Sequence, residues 1–270
     1  MIKFIRGKYG AGLKEVVKRL QEEHGIPAEV VNIKKNPDAD LNADMVVCWG
    51  VTHPSPQSAD FQILFNPPED VKWLSNKGEF LRSCRNNDIP CVPFTFTSDT
   101  FPSWEEDAII YARHSLSGSG GKGITVIMPG DEIPDAPLYT KRVRGREYRV
   151  HLDVYSGQII DVAQKRKMTS EKLEAKGYTY NKYVKSHKNG WVYSHVDIIP
   201  LPHGIPEKII KDFEDFPLDF VAVDLIIPMD YPYTQDGYVV LEVNTAPGLV
   251  QSQTIKAYSD MFARYYQEVS

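Results

Sequence analysis

The chain has 270 residues, 42% of them hydrophobic and 25% charged, with a formal net charge of −5. That length supports two or three small domains with real cores, and the lack of long single-sign charge blocks excludes a disordered chain. The acidic balance excludes a protein built chiefly to coat nucleic acid, so a phosphate ligand has to be met by local basic clusters.

The first third alternates strands and helices. IKFIR reads as a short strand, LKEVVKRLQEEH as a helix with Leu13, Val16, Val17 and Leu20 at helical spacing, and Gly25 as its stop. AEVVNIK and DMVVCWG read as two more strands, an order that predicts parallel pairing in an α/β layer. DVKWLSNKGEFLRSCRNNDIP is helical, and CVPFTFTS is extended. DAIIYARHS and GITVIMPG are strands joined by a glycine-rich loop, a hairpin. From Glu147 to Val154 the chain alternates, with Tyr148, Val150, Leu152 and Val154 on one face and Glu147, Arg149, His151 and Asp153 on the other. Ser156–Gly157 reads as a tight turn, after which QIIDVAQKR returns. Thr169 to Trp191 reads as a long loop with one short helix, unusual enough in a compact domain to suggest function. PEKIIKDFEDF is a helix, LDFVAVDLIIP and GYVVLEVNTAPGL are strong strands, and QTIKAYSDMFARYYQEV is a closing amphipathic helix. The whole reads as an α/β first part followed by α+β.

Cys48, Cys84 and Cys91 are odd in number and lack metal-type spacing, which fits reduced thiols in the cytoplasm. The opening MIKFIRGKYGAG has no apolar stretch of signal-peptide length, and no run approaches the ~18 residues of a membrane span. A soluble cytoplasmic protein is expected.

HSLSGSGGKG contains G-x-G-x-x-G at Gly118, Gly120 and Gly123. A Walker loop fails, because Leu116 stands at its first position and Gly123 follows Lys122. A dinucleotide fingerprint fails too, because the run leads into the strand ITVIM and not into a helix. What remains is a glycine-rich hairpin over phosphates, or a hairpin tip with no ligand.

Val240, Glu242 and Asn244 are predicted to share one face of their strand, and Asp224 interrupts the apolar strand before it. Carboxylates there are costly to bury without a partner. If the two strands are neighbours, Asp224, Glu242 and Asn244 converge as oxygen ligands of the kind Mg²⁺ takes beside nucleotide phosphates. The bland alternative pairs each carboxylate with a nearby Arg or Lys. KRVRGREYRV concentrates Lys141, Arg142, Arg144, Arg146 and Arg149, with Lys165 and Arg166 following on the partner strand. Lys141, Arg149 and Arg166 are expected to balance phosphate charge. Alternating charges on an open hairpin face account for the rest.

Taken together, NKGEFLRSCRNNDIPCVPFT, YARHSLSGSGGKGI, LYTKRV, EYRVHL, VAVDLI and LEVNTAPGL resemble, in this order, the parts of the ATP-grasp superfamily of the carboxylate–amine ligase type. The chain resembles ribosomal-protein glutamate ligase-like and amino-acid or peptide ligase members of it. The resemblance implies a parallel N-terminal α/β domain at 1–90, a lid subdomain with a Gly-rich hairpin at 91–137, and a C-terminal antiparallel sheet with helices and the metal site at 138–270. It implies ATP, with Mg²⁺ or Mn²⁺, and an acyl phosphate that an amine converts to an amide, releasing ADP and phosphate. Asp224, Glu242 and Asn244 would hold the metal. Arg113, Ser117, Gly118, Ser119, Gly120, Gly121, Lys122 and Gly123 would contact phosphates. Lys141, Arg142 and Val143 would hold adenine, with Glu147 at the ribose or linker. Arg149 and Arg166 would stabilise the acyl phosphate and the transferred phosphoryl group, and Lys165, Asn189, Trp191 and Gly248 would contact substrate. Partners would be small-molecule or peptide carboxylates and amines, with no membrane; the oligomeric state is open, a homo-oligomer being one outcome, and nucleic acid belongs to the alternative reading below. The chain departs from the pattern at Arg113, where many members carry Lys, and at Lys141, where Glu is common. The alternative is a non-catalytic nucleotide-binding or nucleic-acid-associated module. A protein kinase is more distant, since H-R-D and D-F-G are lacking.

Overall fold

The computed structural model describes all residues except 8, 9, 11, 54–59, 99–103, 105, 106, 119, 230–236 and 270. Its first sheet is parallel and has the order β2-β1-β3-β4, from β1 (Ile2–Arg6), β2 (Ala28–Asn32), β3 (Met45–Trp49) and β4 (Ile63–Phe65). Between β1 and β2, α1 (Leu13–His24) ends at Gly25, whose φ of 68° and N–H to the Leu20 carbonyl make a left-handed cap. Two further helices follow, α2 (Pro68–Leu74) and α3 (Lys77–Asn86); Asn76 caps α3 by accepting from the N–H groups of Gly78 and Glu79.

A small antiparallel sheet has the order β5-β8-β6-β7, from β5 (Phe94–Thr95), β6 (Ile110–Arg113), β7 (Ile124–Ile127) and β8 (Leu138–Lys141). The β6–β7 hairpin carries the glycine run at its tip. The largest sheet is antiparallel and five-stranded, β11-β10-β9-β12-β13, from β9 (Gly145–Asp153), β10 (Gln158–Lys167), β11 (Trp191–Ser194), β12 (Phe220–Pro228) and β13 (Val239–Asn244). β11 begins at Trp191, where the expected loop ends, and its four residues are all half-buried, without the buried–exposed alternation that marks a strand. The Thr169–Trp191 stretch does carry one short helix, α4 (Ser170–Lys176), and a single 3₁₀ turn at His187–Asn189.

One face of the large sheet is apolar. Tyr148, Val150, Leu152, Val221, Val223 and Leu225 are essentially buried and pack with residues of α3 and of α5 (Ile205–Asp212), each such side chain contributing roughly 1.5–3 kcal/mol. The other face is polar and yet buried, as Glu147, His151, Asp153 and Asp224 all are. The closing helix α6 (Ser252–Val269) packs against α1, and Tyr258 and Phe262 join Phe4, Trp49 and Phe220 in a second core. This joins the parallel sheet to the large one. Gly50, with φ 65°, lies where a Cβ would fall 2.5 Å from that of Ala246, so only glycine allows this approach to the end of β13. The outer edge of β13 is covered by residues 90–92, through Val240 N–H to the Pro90 carbonyl and Val92 N–H to the Val240 carbonyl.

Candidate active site

The polar face of the large sheet is set out in rows by strand register. Glu242 lies opposite Asp224, Asp224 opposite Arg149, and Arg149 opposite Ala163. The next row runs Asn244, Ala222, His151, Asp161. On the far side of Arg149, Glu147 is opposite Ile226, and Lys165 is opposite Tyr193. Strands sit about 4.8 Å apart, so neighbours in a row can touch.

The pairing of β12 with β13 departs from strict alternation. Leu225 pairs with Val240 while Asp224 pairs with Glu242, so Leu241 is an extra residue in a bulge. Val240 therefore turns to the apolar side with Leu225 and not to the Glu242 side, as alternation predicts. The bulge re-aims Glu242 and Asn244 into a cavity of about 870 Å³, which the polar face floors.

Charge on this floor is tightly paired. Arg149 donates from Nε to Asp224 Oδ1 at 2.7 Å and from Nη2 to Oδ2 at 2.8 Å. Burial pushes the Asp224 pKa up, but Arg149, with help from Lys165 and the Tyr193 hydroxyl, holds it below the usual carboxylate range. Burial likewise works against the Arg149 charge, and Asp224 and Tyr193 outweigh it, so its pKa is raised. The guanidinium also lies 4.2 Å from the Tyr193 ring centre. Lys77 makes an ion pair with Glu242; burial opposes ionisation of that carboxyl, and Lys77 together with Arg113 keeps it lowered despite Asp224. Glu147 accepts from Lys165 at 2.9 Å and Lys185 at 2.6 Å. Burial depresses Arg113, which donates from Nε to the Thr140 hydroxyl at 3.3 Å.

Over this floor lies the glycine hairpin. Ser117, Gly118, Gly120, Gly121 and Lys122 line the cavity, and Gly123 closes the hairpin by accepting the His114 N–H at 2.8 Å. Ser119 lies outside the described residues. Gly121 has φ 73°, and a Cβ there would stand 2.6 Å from Val184 Cγ1, so the hairpin tip touches the 181–189 loop. At the base of the hairpin, the Lys77 N–H donates to the Leu116 carbonyl at 2.9 Å.

Lys141, Arg142 and Val143 also face the cavity. The N–H groups of Lys141 and Arg142 already donate to the Pro93 and Ile109 carbonyls, and the Arg142 guanidinium lies 5.4 Å from the Tyr183 ring centre. Lys165, Trp191 and Gly248 line the cavity.

Two residues are placed elsewhere. Arg166 pairs with Val192, one residue on from Lys165, so it points to the opposite face and donates to the Asp197 carbonyl. The period-2 geometry of a strand forbids Lys165 and Arg166 from sharing the floor. Asn189 folds the 181–189 loop instead of lining the cavity, donating from Nδ2 to the Val184 carbonyl at 2.8 Å. Glu147 lines the cavity, but both carboxylate oxygens are held by lysines, which leaves little for a ribose.

Sequence reasoning missed three contributors. Lys77 comes from the start of α3 and Lys185 from the loop, each remote from its carboxylate, and Tyr193 reads as core. Asn76 before K-G-E is a capping signal that could have located the start of α3, though not where Lys77 reaches.

The donor set suits a divalent cation. Glu242 lies beside Asp224 and already seats the Lys77 ammonium, whose place a cation would take, while Arg149 holds both Asp224 oxygens, so Asp224 would have to give up part of that fork to ligate. No cluster of three His, Cys, Asp or Glu that could hold a metal by themselves occurs among the described residues.

No protein-family model matches the sequence, and no curated protein does. Solved structures do. D-alanine–D-alanine ligase from Bacillus anthracis superposes with TM-score 0.64 at 12% identity, covering 99% of this chain and 95% of that one. The ATP-grasp ligase PsnB complexed with minimal precursor, Mg and ADP superposes with TM-score 0.65 at 11% identity, covering 97% and 96%. A RiPP-associated ATP-grasp ligase from Chryseobacterium gregarium, in complex with ADP and a leader and core peptide, gives TM-score 0.59 at 14% identity, covering 98% and 97%. The chain has the ATP-grasp fold. Among the described residues no helix is long and apolar enough to cross a membrane.

Proposed function

We propose that this protein is an ATP-dependent carboxylate–amine ligase that forms an amide or peptide bond and releases ADP and phosphate. The observation that carries the reading is the row Glu242–Asp224–Arg149 on the floor of one cavity, beneath a glycine hairpin whose backbone can approach phosphate.

The substrate carboxylate attacks the γ-phosphorus of ATP; an O–P bond forms, the β–γ bridge breaks and ADP leaves. The amine nitrogen then attacks the acyl carbon, a C–N bond forms, and phosphate leaves with the electron pair of the C–O bond. The Gly118–Gly123 hairpin covers the phosphates, and Arg113 and Lys122 add charge. Val143 and the carbonyls beside it take the adenine, since the Lys141 and Arg142 N–H groups are engaged. Arg149 and Lys165 meet the charge that develops on the transferred group, a role the sequence gives to Arg149 and Arg166. Glu147 holds Lys165 and Lys185 in place. A bound Mg²⁺, or Mn²⁺, would be held by Asp224, Glu242 and Asn244, and would polarise phosphate oxygens and neutralise their charge.

Trp191 and Gly248 are read as substrate contacts, and the acid or amine as a small molecule or peptide. The likeness to a ligase holding a leader and core peptide supports the peptide case. Three units fit this reading, with the second boundary after Lys141, because β8 pairs within the small sheet. An ADP-release screen over pooled amino acids, dipeptides and amines, followed by product mass, tests the proposal. ADP formed only with an acid and an amine both present supports it, and ATP turnover that ignores both sinks it.

A further inference from the structure

We propose that His195, oriented by Asp161, takes the proton from the attacking amine. This rests on the ligase reading above. His195 follows β11 directly and lines the cavity, on the far side of Ala163 from Arg149. Its Nε2 donates to Asp161 Oδ2 at 2.8 Å. Asp161 is buried at 6% exposure, and α6 fixes it: Thr254 donates to the same oxygen and Gln253 donates to Oδ1 at 2.9 Å. Burial would raise the Asp161 pKa, but these two donors and His195 keep it lowered, so it stays an acceptor at neutral pH. With the Nε2 proton held there, the Nδ1 of a neutral His195 carries a free lone pair.

The other histidine on this face is unsuited. His151 is 3% exposed, its Nδ1 shares a hydrogen bond of 3.0 Å with the Tyr258 hydroxyl, and burial beside Arg149 depresses its pKa to about 3. Asp161 from β10 bonds His195, and His151 from β9 lies close enough to feel its charge, with Arg149 beyond; the neutral Gln253 and Thr254 from α6 bond Asp161. The amine enters as an ammonium; one N–H proton passes to Nδ1 and frees the lone pair that forms the C–N bond, and a second proton leaves with the departing phosphate. The imidazolium is then stabilised by the Asp161 carboxylate. A purely structural dyad would pin α6 to the sheet and do nothing to the amine.

The test uses His195→Gln and Asp161→Asn with the acid and amine found by the screen, and compares amide formation with trapping of the acyl phosphate by hydroxylamine. Hydroxylamine is unprotonated at neutral pH, so it needs no such help. Amide formation is expected to fall about 10²-fold or more in His195→Gln, recovering as pH rises, while hydroxamate formation is unchanged. Asp161→Asn should slow the amide step in the same sense. Equal loss of both products, or an unaffected amide step, overturns the proposal. A readout needing no substrate is the ¹⁵N spectrum of the free protein at pH 8, where His195 should be protonated on Nε2 alone; a proton on Nδ1 overturns it. Wild-type protein that gives no hydroxamate with any acid overturns the ligase reading instead.

Discussion

Arg149 and Asp224 face each other across β9 and β12 and meet through two parallel hydrogen bonds of 2.7 and 2.8 Å. Asp224 is 3% exposed, so its charge has no water as a ready substitute for Arg149. Removing one partner leaves the other buried and uncompensated. Arg149→Met is expected to cost about 3–5 kcal/mol in urea denaturation. Arg149→Lys keeps the charge and loses the fork; it should cost less in stability but lower kcat about 10²–10³-fold, measured by ADP release.

The contact between Gly121 and Val184 sets how the hairpin closes. At φ 73°, with only 2.6 Å between the place a Cβ would take and Val184 Cγ1, a side chain at 121 is both strained and obstructed. Gly121→Val should raise the Kd for ATP about tenfold or more and leave the melting temperature nearly unchanged, because the tip belongs to neither core. Nucleotide titration calorimetry checks the first part and thermal unfolding the second.

Acid should destabilise the fold earlier than ordinary carboxylates would. The unfolded chain protonates His151 near pH ~6.5, whereas the folded chain resists until about 3, so stability falls as pH drops through that window. Asp161, Asp224 and Glu242 have lowered pKa values when folded, so their contribution is present above the usual carboxylate range and is lost as pH falls further. His151→Gln should flatten the melting-temperature profile between pH ~6.5 and ~4.5 and leave the steeper acid limb. An unchanged profile would contradict the buried neutral imidazole.

The thiols should be inert in the native protein. Burial pushes Cys48 up to about 12 and Cys91 to about 11, and Cys84 is raised too, so thiolate is scarce at neutral pH. Labelling with a maleimide at pH 7 should be slow until urea is added. Fast native labelling of Cys91 would show its pocket to be open.

Much of the fold was legible because its strands follow simple periods. The β1–α1–β2 unit, the β6–β7 hairpin and the Glu147–Val154 alternation each rest on local pattern, and the two carboxylate strands proved to be antiparallel neighbours. The bulge at Leu241 was hidden, because one extra residue changes which side chains share a face without changing composition. The floor's charge balance was hidden for a different reason. Lys77 and Glu242 are far apart in the chain, as are Lys185 and Glu147, and nothing local to a lysine states which carboxylate it will meet. Arg166 was a plausible partner by spacing, and the two-residue period of β10 decided in favour of Lys165.

The central claim is that this floor drives transfer of the γ-phosphoryl group of ATP to a carboxylate. Phosphorus-31 NMR of Mg-ATP turnover with the acid and amine from the screen tests it most directly, in wild-type protein and in Glu242→Gln. The account predicts ADP and inorganic phosphate from the wild type and loss of both in the variant. AMP with pyrophosphate, or undiminished turnover by Glu242→Gln, would contradict it.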